Sequence, residues 1–362
     1  MKILYVITSS DVGGAERALS NLLSTVASAH TVKVICLKPL GAEAKQWQQY
    51  GAQVISLEMT GAGLGCVAKL KKEIAAFQPT LIHAMLFRAI EFTRLACAGQ
   101  NIPLVTTPHY DISQKPGWVR WLDRLLCKMD TLSVAESLST YEHLRHLQHY
   151  PPSKTRVIGN SVKKSLFFKD NSIKVRMRHT QGLTEQDIVF ISVARLAPVK
   201  NPQGLLKAFA QILPHCPNAK LIYVGEGKER AALEKLINTL SLTDKVRLVG
   251  EQSNTNEWLN MADVFVLVSH EESLPLALLE AQQAGLPCIV SKVGDMPKQI
   301  VHGQNGFVCN DKDEMILSCL LTELYENAAL RRQMGEKSLQ KMAKEMDSSQ
   351  QYQQLYQQIV NR

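Results

Sequence analysis

The chain has 362 residues, of which 45% are hydrophobic and 20% are charged. This length exceeds one comfortable hydrophobic core and predicts two domains, and the composition excludes a fibrous or disordered chain. No apolar run approaches the roughly 20 residues of a membrane span, and the N-terminus lacks a signal-peptide cleavage site. The eight cysteines contain no Cys-x-x-Cys pair and mostly lie in apolar runs, which predicts free thiols in a cytoplasmic protein.

The formal net charge of +8 is unevenly distributed. Residues 1–164 contain 19 Lys and Arg against 11 Asp and Glu, whereas the remainder contains 22 of each. A basic half suggests that this half meets something anionic, such as a phosphorylated acceptor or an acidic lipid surface. Solubilising charge alone is the alternative. We expect no nucleic-acid partner, because no recognised binding module accompanies the basic excess.

In the first half, apolar β-branched runs alternate with segments of helical periodicity. Strands are predicted at residues 2–8, 31–37, 53–57, 80–84, 104–107 and 131–134, and helices at 16–28, 42–49 and 67–77. Strands that alternate with helices predict a parallel, doubly wound α/β sheet.

The alternation pauses in a polar, basic stretch between residues 160 and 185, where we place the domain boundary. It resumes with predicted strands at 188–193, 221–224, 246–248, 264–268 and 288–291, so the second domain is also α/β. Residues 348–360 have helical spacing and predict a terminal helix that packs back on the body. The predicted domains are residues 1–165 and 166–345, followed by this helix at 346–362.

The first candidate motif is a glycine pair, Gly13-Gly14, between the first strand and the first helix. Such a turn lets backbone approach a ligand and offers helix N–H groups to an anion. The spacing matches neither a dinucleotide fingerprint nor a P-loop. A plain tight turn is the alternative.

The second motif, from Arg195 to Pro202, follows the first strand of the second domain. We expect Asn201 to cap the next helix and Pro202 to occupy its first position. That leaves Arg195 and Lys200 on a loop at the carboxyl edge of the sheet, where two cations suit a diphosphate. Two solvated surface charges are the alternative.

The third motif runs from Glu272 to Glu280, after the strand predicted at 264–268. We expect Ser273 to cap a helix with Pro275 in its first turn, so that N–H groups such as that of Leu276 point toward a phosphate. Glu272 would then accept hydrogen bonds from sugar hydroxyls, and Glu280 would reach a ribose diol. Two carboxylates on a solvated helix face are the alternative.

Together these motifs resemble retaining glycosyltransferase family 4, whose GT-B fold has two Rossmann-like, doubly wound parallel-sheet domains facing across a cleft. The resemblance covers nearly the whole chain, and the Glu-to-Glu segment is its most specific part. Shorter segments agree with it: Val157 to Val162, Gly225-Glu226-Gly227 and His302 to Phe307.

The resemblance implies a role for each matching residue. The first domain would bind the acceptor and the second the nucleotide-sugar. Such enzymes retain the anomeric configuration and need no divalent metal or other cofactor. The implied catalytic residues are Glu272 and His109, and the implied donor-binding residues are Gly14, Arg195, Lys200, Gly225, Leu276 and Glu280.

Two positions depart from the family pattern. Ser273 stands where Gly is commoner. Its side chain takes up space in the turn and is expected to affect which donor sugar fits. Met85 stands where a second histidine is frequent, so we expect a core or rim role for His83.

Residues 118–128 form an aromatic and basic amphipathic stretch, which suits either a membrane interface or an ordinary surface helix.

These features predict a retaining transferase that moves a sugar from a nucleotide-diphosphate donor, with a UDP-sugar favoured. The expected acceptor is a glycan or a lipid-linked acceptor in surface polysaccharide or glycoconjugate synthesis, and the expected location is the cytoplasm, with peripheral contact at the inner face of the membrane. A nucleotide-sugar epimerase would carry more acid-base groups, and a phosphorylase would be far longer. A non-catalytic nucleotide-sugar-binding protein would have lost Arg195, Lys200 or Glu272, and all three are present.

Overall fold

The computed structural model describes residues 1–61, 63, 65–109 and 116–361, and the chain divides into two compact units. The N-terminal unit comprises Met1–Ser161 with Met346–Arg362, and the C-terminal unit comprises Val162–Glu345. Each has its own parallel sheet and its own buried core.

The N-terminal unit contains a seven-stranded sheet, with all of its neighbouring strands parallel, in the order β3-β2-β1-β4-β5-β6-β7. All six predicted strands are confirmed, with ends shifted by at most one residue. A seventh, three-residue strand at the edge was not predicted. The strands are β1 (Lys2–Ile7), β2 (Thr31–Cys36), β3 (Gln53–Ser56), β4 (Leu81–Met85), β5 (Leu104–Thr107), β6 (Leu132–Ala135) and β7 (Thr155–Val157).

Helices connect these strands, as parallel strands require. The first of them buries leucines at helical spacing, among them Leu19, Leu22 and Leu23, against the sheet. The three predicted helices are confirmed within two residues at each end. The helices of this stretch are α1 (Gly14–Val26), α2 (Glu43–Gln49), α3 (Gly65–Phe77), α4 (Phe87–Ala96), α5 (Gly117–Leu126) and α6 (Leu138–His146).

The C-terminal unit contains a six-stranded parallel sheet in the order β10-β9-β8-β11-β12-β13. The five predicted strands are confirmed, and β13 was not predicted. The strands are β8 (Ile188–Val193), β9 (Ala219–Val224), β10 (Val246–Leu248), β11 (Val264–Leu267), β12 (Cys288–Ser291) and β13 (Gly306–Cys309).

The helices of this unit begin inside the stretch where the strand alternation pauses. That stretch holds a helix, α7, whose N-terminus is capped by the Asp170 carboxylate. The helices are α7 (Asn171–Thr180), α8 (Pro202–Ile212), α9 (Arg230–Thr239), α10 (Thr255–Met261), α11 (Leu276–Gln283), α12 (Met296–Gln299), α13 (Glu314–Glu326) and α14 (Ala328–Lys344).

The motif loops lie at the point in each sheet where the order of the strands reverses. In the N-terminal unit β1 lies between β2 and β4, and in the C-terminal unit β8 lies between β9 and β11. Ligands of open α/β sheets bind outside the carboxyl ends of strands at such switch points. The Gly13-Gly14 turn follows β1, and the Arg195 and Glu272 loops follow β8 and β11.

The C-terminal helix α15 (Ser348–Val360) returns to the N-terminal unit. Its Tyr352, Leu355 and Tyr356 are buried in the core beside β1 and β4, and the Tyr5 hydroxyl lies 3.3 Å from that of Tyr356. The last helix therefore packs on the first sheet and completes the core of the N-terminal unit.

All eight cysteines are free, and only Cys319 among them is exposed, in agreement with the prediction of unpaired thiols. Within residues 1–61, 63, 65–109 and 116–361, no helix combines the length and the apolar character needed to cross a bilayer.

Candidate active site

The loop between β8 and α8 is fixed by Asn201. Its backbone is left-handed, with φ of +50°, its side-chain oxygen accepts a hydrogen bond from Gly204 N (3.2 Å), and its amide donates to the carbonyl of Asp311 (2.8 Å). Pro202 is the first residue of α8, so both helix-start predictions are confirmed. The cap fixes the position of Lys200 directly before the helix.

Lys200 and Glu272 are ion-paired. The hydroxyl of Ser269 also donates to the same Glu272 oxygen, Oε1, over 3.0 Å. The side chains of Lys200 and Glu272 are 19% and 9% exposed, so water screens the pair only in part. The structure thus brings together two residues that the sequence assigned to different parts of one ligand.

Arg195 lies on the same loop and is exposed. Its neighbour Leu196 is held by two backbone hydrogen bonds of 2.9 Å, donating to Glu226 and accepting from Glu229. Gly225, with φ of +144°, permits this close approach, because a Cβ there would collide with the carbonyl oxygen of Ala194. The structure therefore places Gly225 against the backbone that carries Arg195.

The start of α11 differs from the prediction. The helix begins at Leu276, and Pro275 is its N-cap with an extended ψ of +130° and no side-chain cap, so Ser273 is not the cap and Pro275 is not in the first turn. Ser273 lies two residues before that N-cap, and its carbonyl accepts from Asp295 N over 2.8 Å. The Pro275 side chain has no acceptor for the first N–H groups of α11, and the start of a helix favours an anion.

Glu280 lies on the buried side of α11 and is 3% exposed. The two leucines that precede it, Leu278 and Leu279, are also buried. The alternative that Glu272 and Glu280 lie on a solvated helix face is therefore wrong.

The loop after β12 packs against the Glu272 loop, and the sequence did not predict this contact. Gly294 has φ of +53°, and a Cβ there would collide with the carbonyl oxygens of Glu272 and Ser273. Ser291, at the end of β12, donates from its hydroxyl to the carbonyl of Ser269 over 2.6 Å. The Gly294-Asp295 pair after a strand was the available signal.

The chain contains a D-x-D triplet, Asp311-Lys312-Asp313, whose carboxylates are of a type that can ligate a divalent cation. In the structure Asp311 Oδ2 lies 2.6 Å from His270 Nδ1, and Asp313 caps α13 by accepting from Ile316 N over 2.9 Å. Both carboxylates are thus engaged by protein groups.

In the N-terminal unit, the Gly13-Gly14 turn begins α1, with Gly13 as the N-cap. A Cβ on Gly13 would collide with the carboxylate of Glu16, whereas a Cβ on Gly14 would meet nothing within 4 Å. Glu16 accepts a 2.7 Å hydrogen bond from the Ser9 hydroxyl, and its burial raises the pKa of the carboxyl. Gly13 thus makes room for Glu16, while the space around Gly14 is open.

His109 lies two residues after β5 with a left-handed φ of +52°, which is unusual for a residue with a side chain. Its Nε2 is buried and has no hydrogen-bond partner among the described residues. Burial lowers the pKa of His109, and the charge of Glu136 raises it. The residues that follow, Tyr110 and Asp111 of the same predicted motif, lie outside the described residues.

His83 is a core residue, one of the two roles expected for it. Its Nδ1 lies 2.7 Å from the hydroxyl of Tyr356 and its Nε2 lies 2.8 Å from that of Thr107. Burial lowers the pKa of His83 to about 3. The ring is therefore neutral at physiological pH and joins β4, β5 and α15.

Family models match both units. Residues 12–165 match the model described as Glycosyltransferase Family 4, and residues 174–341 match Glycosyl transferases group 1. The N-acetyl-alpha-D-glucosaminyl L-malate synthase of Bacillus anthracis is 30% identical over 268 residues, which are 72% of this chain and 69% of that protein. An Escherichia coli UDP-Gal:alpha-D-GlcNAc-diphosphoundecaprenol alpha-1,3-galactosyltransferase is 30% identical over 59% of this chain and 54% of its own length.

Among solved structures, Anabaena Alr3699/HepE in complex with UDP-glucose matches with a TM-score of 0.87 and 22% identity over the full length of both chains. This likeness, together with the two parallel sheets, confirms the predicted fold class. The chain therefore belongs to the group 1 glycosyltransferases of family 4 and has the GT-B fold.

Proposed function

We propose that the protein transfers a sugar, with retention of anomeric configuration, from a UDP-sugar to a glycan or lipid-linked acceptor in surface polysaccharide or glycoconjugate synthesis. The observation that carries this proposal is the Lys200–Glu272 ion pair at the carboxyl edge of the second sheet. The donor assignment is supported by the Anabaena neighbour, which was solved with UDP-glucose. The acceptor assignment is supported by the Escherichia coli relative, whose name specifies a diphosphoundecaprenol-linked acceptor.

The ion pair suggests how the donor is received. Glu272 neutralises Lys200. A donor diphosphate would replace Glu272 as the counterion of Lys200, which frees the Glu272 carboxylate to accept hydrogen bonds from the hydroxyls of the transferred sugar. Arg195 would hold the same diphosphate through its fork of donors, and the uncapped start of α11 at Leu276 would add N–H groups.

The same cations would act in the chemical step. As the bond between sugar and diphosphate breaks, negative charge develops on the leaving nucleotide, and fixed positive groups stabilise it. Arg195 and Lys200 can do this without a divalent cation, so we propose that the reaction needs no metal or other cofactor. Glu280 is assigned to the ribose diol, and Gly225 to holding the Arg195 loop.

In the N-terminal unit we assign two residues to the reaction. The open space around Gly14 supports its assignment to a donor phosphate, since a ligand can approach its backbone closely. His109 has a buried Nε2 with no partner among the described residues, which supports its assignment as a catalytic residue that contacts the transferred sugar.

A screen of UDP-, GDP- and ADP-sugars tests the donor assignment. The protein is incubated with each donor without acceptor, and products are identified by mass. We expect slow release of one nucleoside diphosphate, with loss of that release in Lys200→Ala. Lys207→Ala is the matched control, because Lys207 is a half-exposed cation of α8 in the same unit.

Three results would contradict the proposal. Conversion of the donor sugar to an isomer without nucleotide release would indicate an epimerase. Donor binding without turnover, also in the presence of candidate acceptors, would indicate a nucleotide-sugar-binding protein. Equal nucleotide release by Lys200→Ala and the wild type would remove the ion pair from the donor site.

We further propose that the enzyme works in the cytoplasm, peripherally at the inner face of the membrane. The support is the excess of 19 basic over 11 acidic residues in positions 1–164, because cytoplasmic leaflets carry negative surface charge. No nucleic-acid partner is proposed.

A further inference from the structure

Helix α5 exposes more apolar surface than an ordinary surface helix, although Leu122 and Leu126 on its other side are half-buried. Such a helix buries its apolar residues and exposes its charges. In α5 only Val119 and the acidic Asp123 are buried, whereas Trp118, Trp121 and Leu125 are 71%, 64% and 50% exposed. Three large apolar side chains, spaced so that they fall on one helix face, therefore point to solvent.

An ion pair and a hydrogen bond of Asp123 attach the buried side of α5 to its unit. Asp123 Oδ1 accepts hydrogen bonds from Arg94 Nη1 (2.8 Å) and from the Tyr150 hydroxyl (2.9 Å). Arg94 is fully buried and also pairs with Asp130 over 2.6 Å. Removing one partner of such a buried pair is costly, so the orientation of the helix is fixed by its anchor.

Basic residues lie beside the apolar face. Arg120, Arg124 and Lys128 follow one another at intervals of four residues, which places them along one side of the helix and its extension. Arg124 and Lys128 are exposed, whereas Arg120 is half-buried, with its Nε enclosed. Arg124 donates to the carbonyl of Leu147 over 2.6 Å. Tryptophans with an adjoining row of cations are the pattern of helices that lie in the interface of an anionic bilayer.

We propose that this face of α5, defined by Trp118, Trp121, Leu125, Arg120, Arg124 and Lys128, docks the enzyme on an anionic lipid surface. The proposal rests on the peripheral location proposed above and identifies the surface responsible for it. The tryptophans and the leucine enter the boundary between headgroups and acyl chains, and the cations contact lipid phosphates.

A second copy of the chain is a poorer occupant of this face. Two tryptophans and a leucine bury roughly 500 Å², which is less than the roughly 800 Å² per partner of a stable interface. Self-association would also bring two rows of cations together, and like charges across an interface oppose binding.

Vesicle binding of the full-length protein tests the proposal. Phosphatidylcholine vesicles with about 30% phosphatidylglycerol are compared with pure phosphatidylcholine by co-sedimentation, at low and at physiological salt. We expect binding to the anionic vesicles alone, weakened by salt. Of the four tryptophans, Trp47 and Trp258 are buried, so a blue shift of tryptophan emission on binding reports entry of α5 into the bilayer.

Two variants and a control locate the surface. Trp118→Ala/Trp121→Ala should lower the partition coefficient roughly tenfold or more and abolish the blue shift. Arg120→Gln/Lys128→Gln should lower it about fivefold per charge, and only on anionic vesicles. Met315→Ala removes an apolar side chain of α13 that is 75% exposed, and it should bind like the wild type.

Equal binding by the wild type and the double tryptophan variant would overturn the proposal. Equal binding to charged and uncharged vesicles would overturn it as well. Self-association that is lost in the tryptophan variant, without any vesicle binding, would assign the face to a second copy. Donor hydrolysis measured without lipid should be unchanged in both variants, so failure of membrane docking stays distinct from failure of the transferase assignment.

Discussion

Lys200 and Glu272 neutralise each other across the loops that follow β8 and β11. Neither side chain is well hydrated, and the Ser269 hydroxyl adds a third contact over 3.0 Å. Under the proposed function each of these residues also contacts the donor, so its removal should affect both stability and turnover. Variants of this pair must therefore separate stability from turnover.

Replacing Lys200 should lower both properties. Lys200→Ala leaves the carboxylate of Glu272 without its cation, and because the pair is partly exposed we expect a loss of about 1–2 kcal/mol in the free energy of unfolding. Turnover should fall about 10²- to 10³-fold, as when one charge-stabilising group is lost. Urea unfolding and nucleotide release measure the two effects.

The double variant Lys200→Ala/Glu272→Gln separates them. Neutralising the carboxylate should restore most of the unfolding free energy, because no uncompensated charge remains. Turnover should stay low, since both proposed donor contacts are lost. Recovery of turnover together with stability would mean that the pair is only structural.

Arg195 provides the opposite case. It is exposed, and no hydrogen bond or ion pair of its side chain occurs among the described residues, so Arg195→Lys should change the free energy of unfolding by less than about 0.5 kcal/mol. Donor affinity should fall about tenfold, because lysine lacks the planar fork that binds a phosphate at two points. Arg332→Lys, a change at a side chain that is 82% exposed, is the control. Unchanged affinity, measured by calorimetric titration, would argue against two-point binding.

Much of the fold follows from the sequence because its signals are local. Apolar runs predicted every described strand except β7 and β13, and the Asn201-Pro202 helix start was predicted correctly. The strand β7 is exposed at two of its three residues, Arg156 and Val157, and β13 begins at Gly306, a residue with a low strand preference, so neither was recognised although equally short strands were. Ser273 was misread because capping residues precede helices at several spacings, and the following Pro275 suits the N-cap as well as the first turn.

The candidate site was harder to predict, because its contacts join distant segments. Lys200 and Glu272 were found separately, but their pairing depends on the order of β8 and β11 in the sheet. Gly294 supports Glu272 through backbone contact alone, and a glycine does not reveal which carbonyl it approaches. The exposed face of α5 could be read as a pattern, but Asp123 as its anchor could not.

Gly294 leads to a matched pair of substitutions. In Gly294→Ala the new Cβ collides with the carbonyl of Glu272 and has an unfavourable φ of +53°, whereas Gly303→Ala has only the unfavourable φ of +79° and open space. The control should lose about 1–2 kcal/mol of unfolding free energy. Gly294→Ala should lose more and should also lose turnover, because the Glu272 loop must move. Equal losses in stability with normal turnover in both would show that this contact does not position Glu272.

Glu91 is expected to make stability depend on pH. Its carboxyl accepts from Arg94 Nη1 over 2.7 Å, and Asp123, Asp130 and the Tyr150 hydroxyl surround the same guanidinium. Burial raises the pKa of Glu91 to about 7, against the opposing effect of Arg94 and with a further increase from Asp123 and Asp130. The folded protein therefore favours the protonated carboxyl.

The sign of the pH effect follows from this raised pKa. The folded state holds a proton on Glu91 that the unfolded state releases above its ordinary pKa of 4.5, so stability is greatest below that pH and falls as pH rises through about 7, by at most about 1.4 kcal/mol per pH unit. Glu91→Gln mimics the protonated form and should abolish this fall in urea unfolding between pH 5 and 8. Glu142→Gln, at an exposed carboxyl of α6, should leave the slope unchanged. If stability still falls with pH in Glu91→Gln, a group other than Glu91 takes up the proton. That result would mean that Arg94 keeps Glu91 ionised in the folded protein.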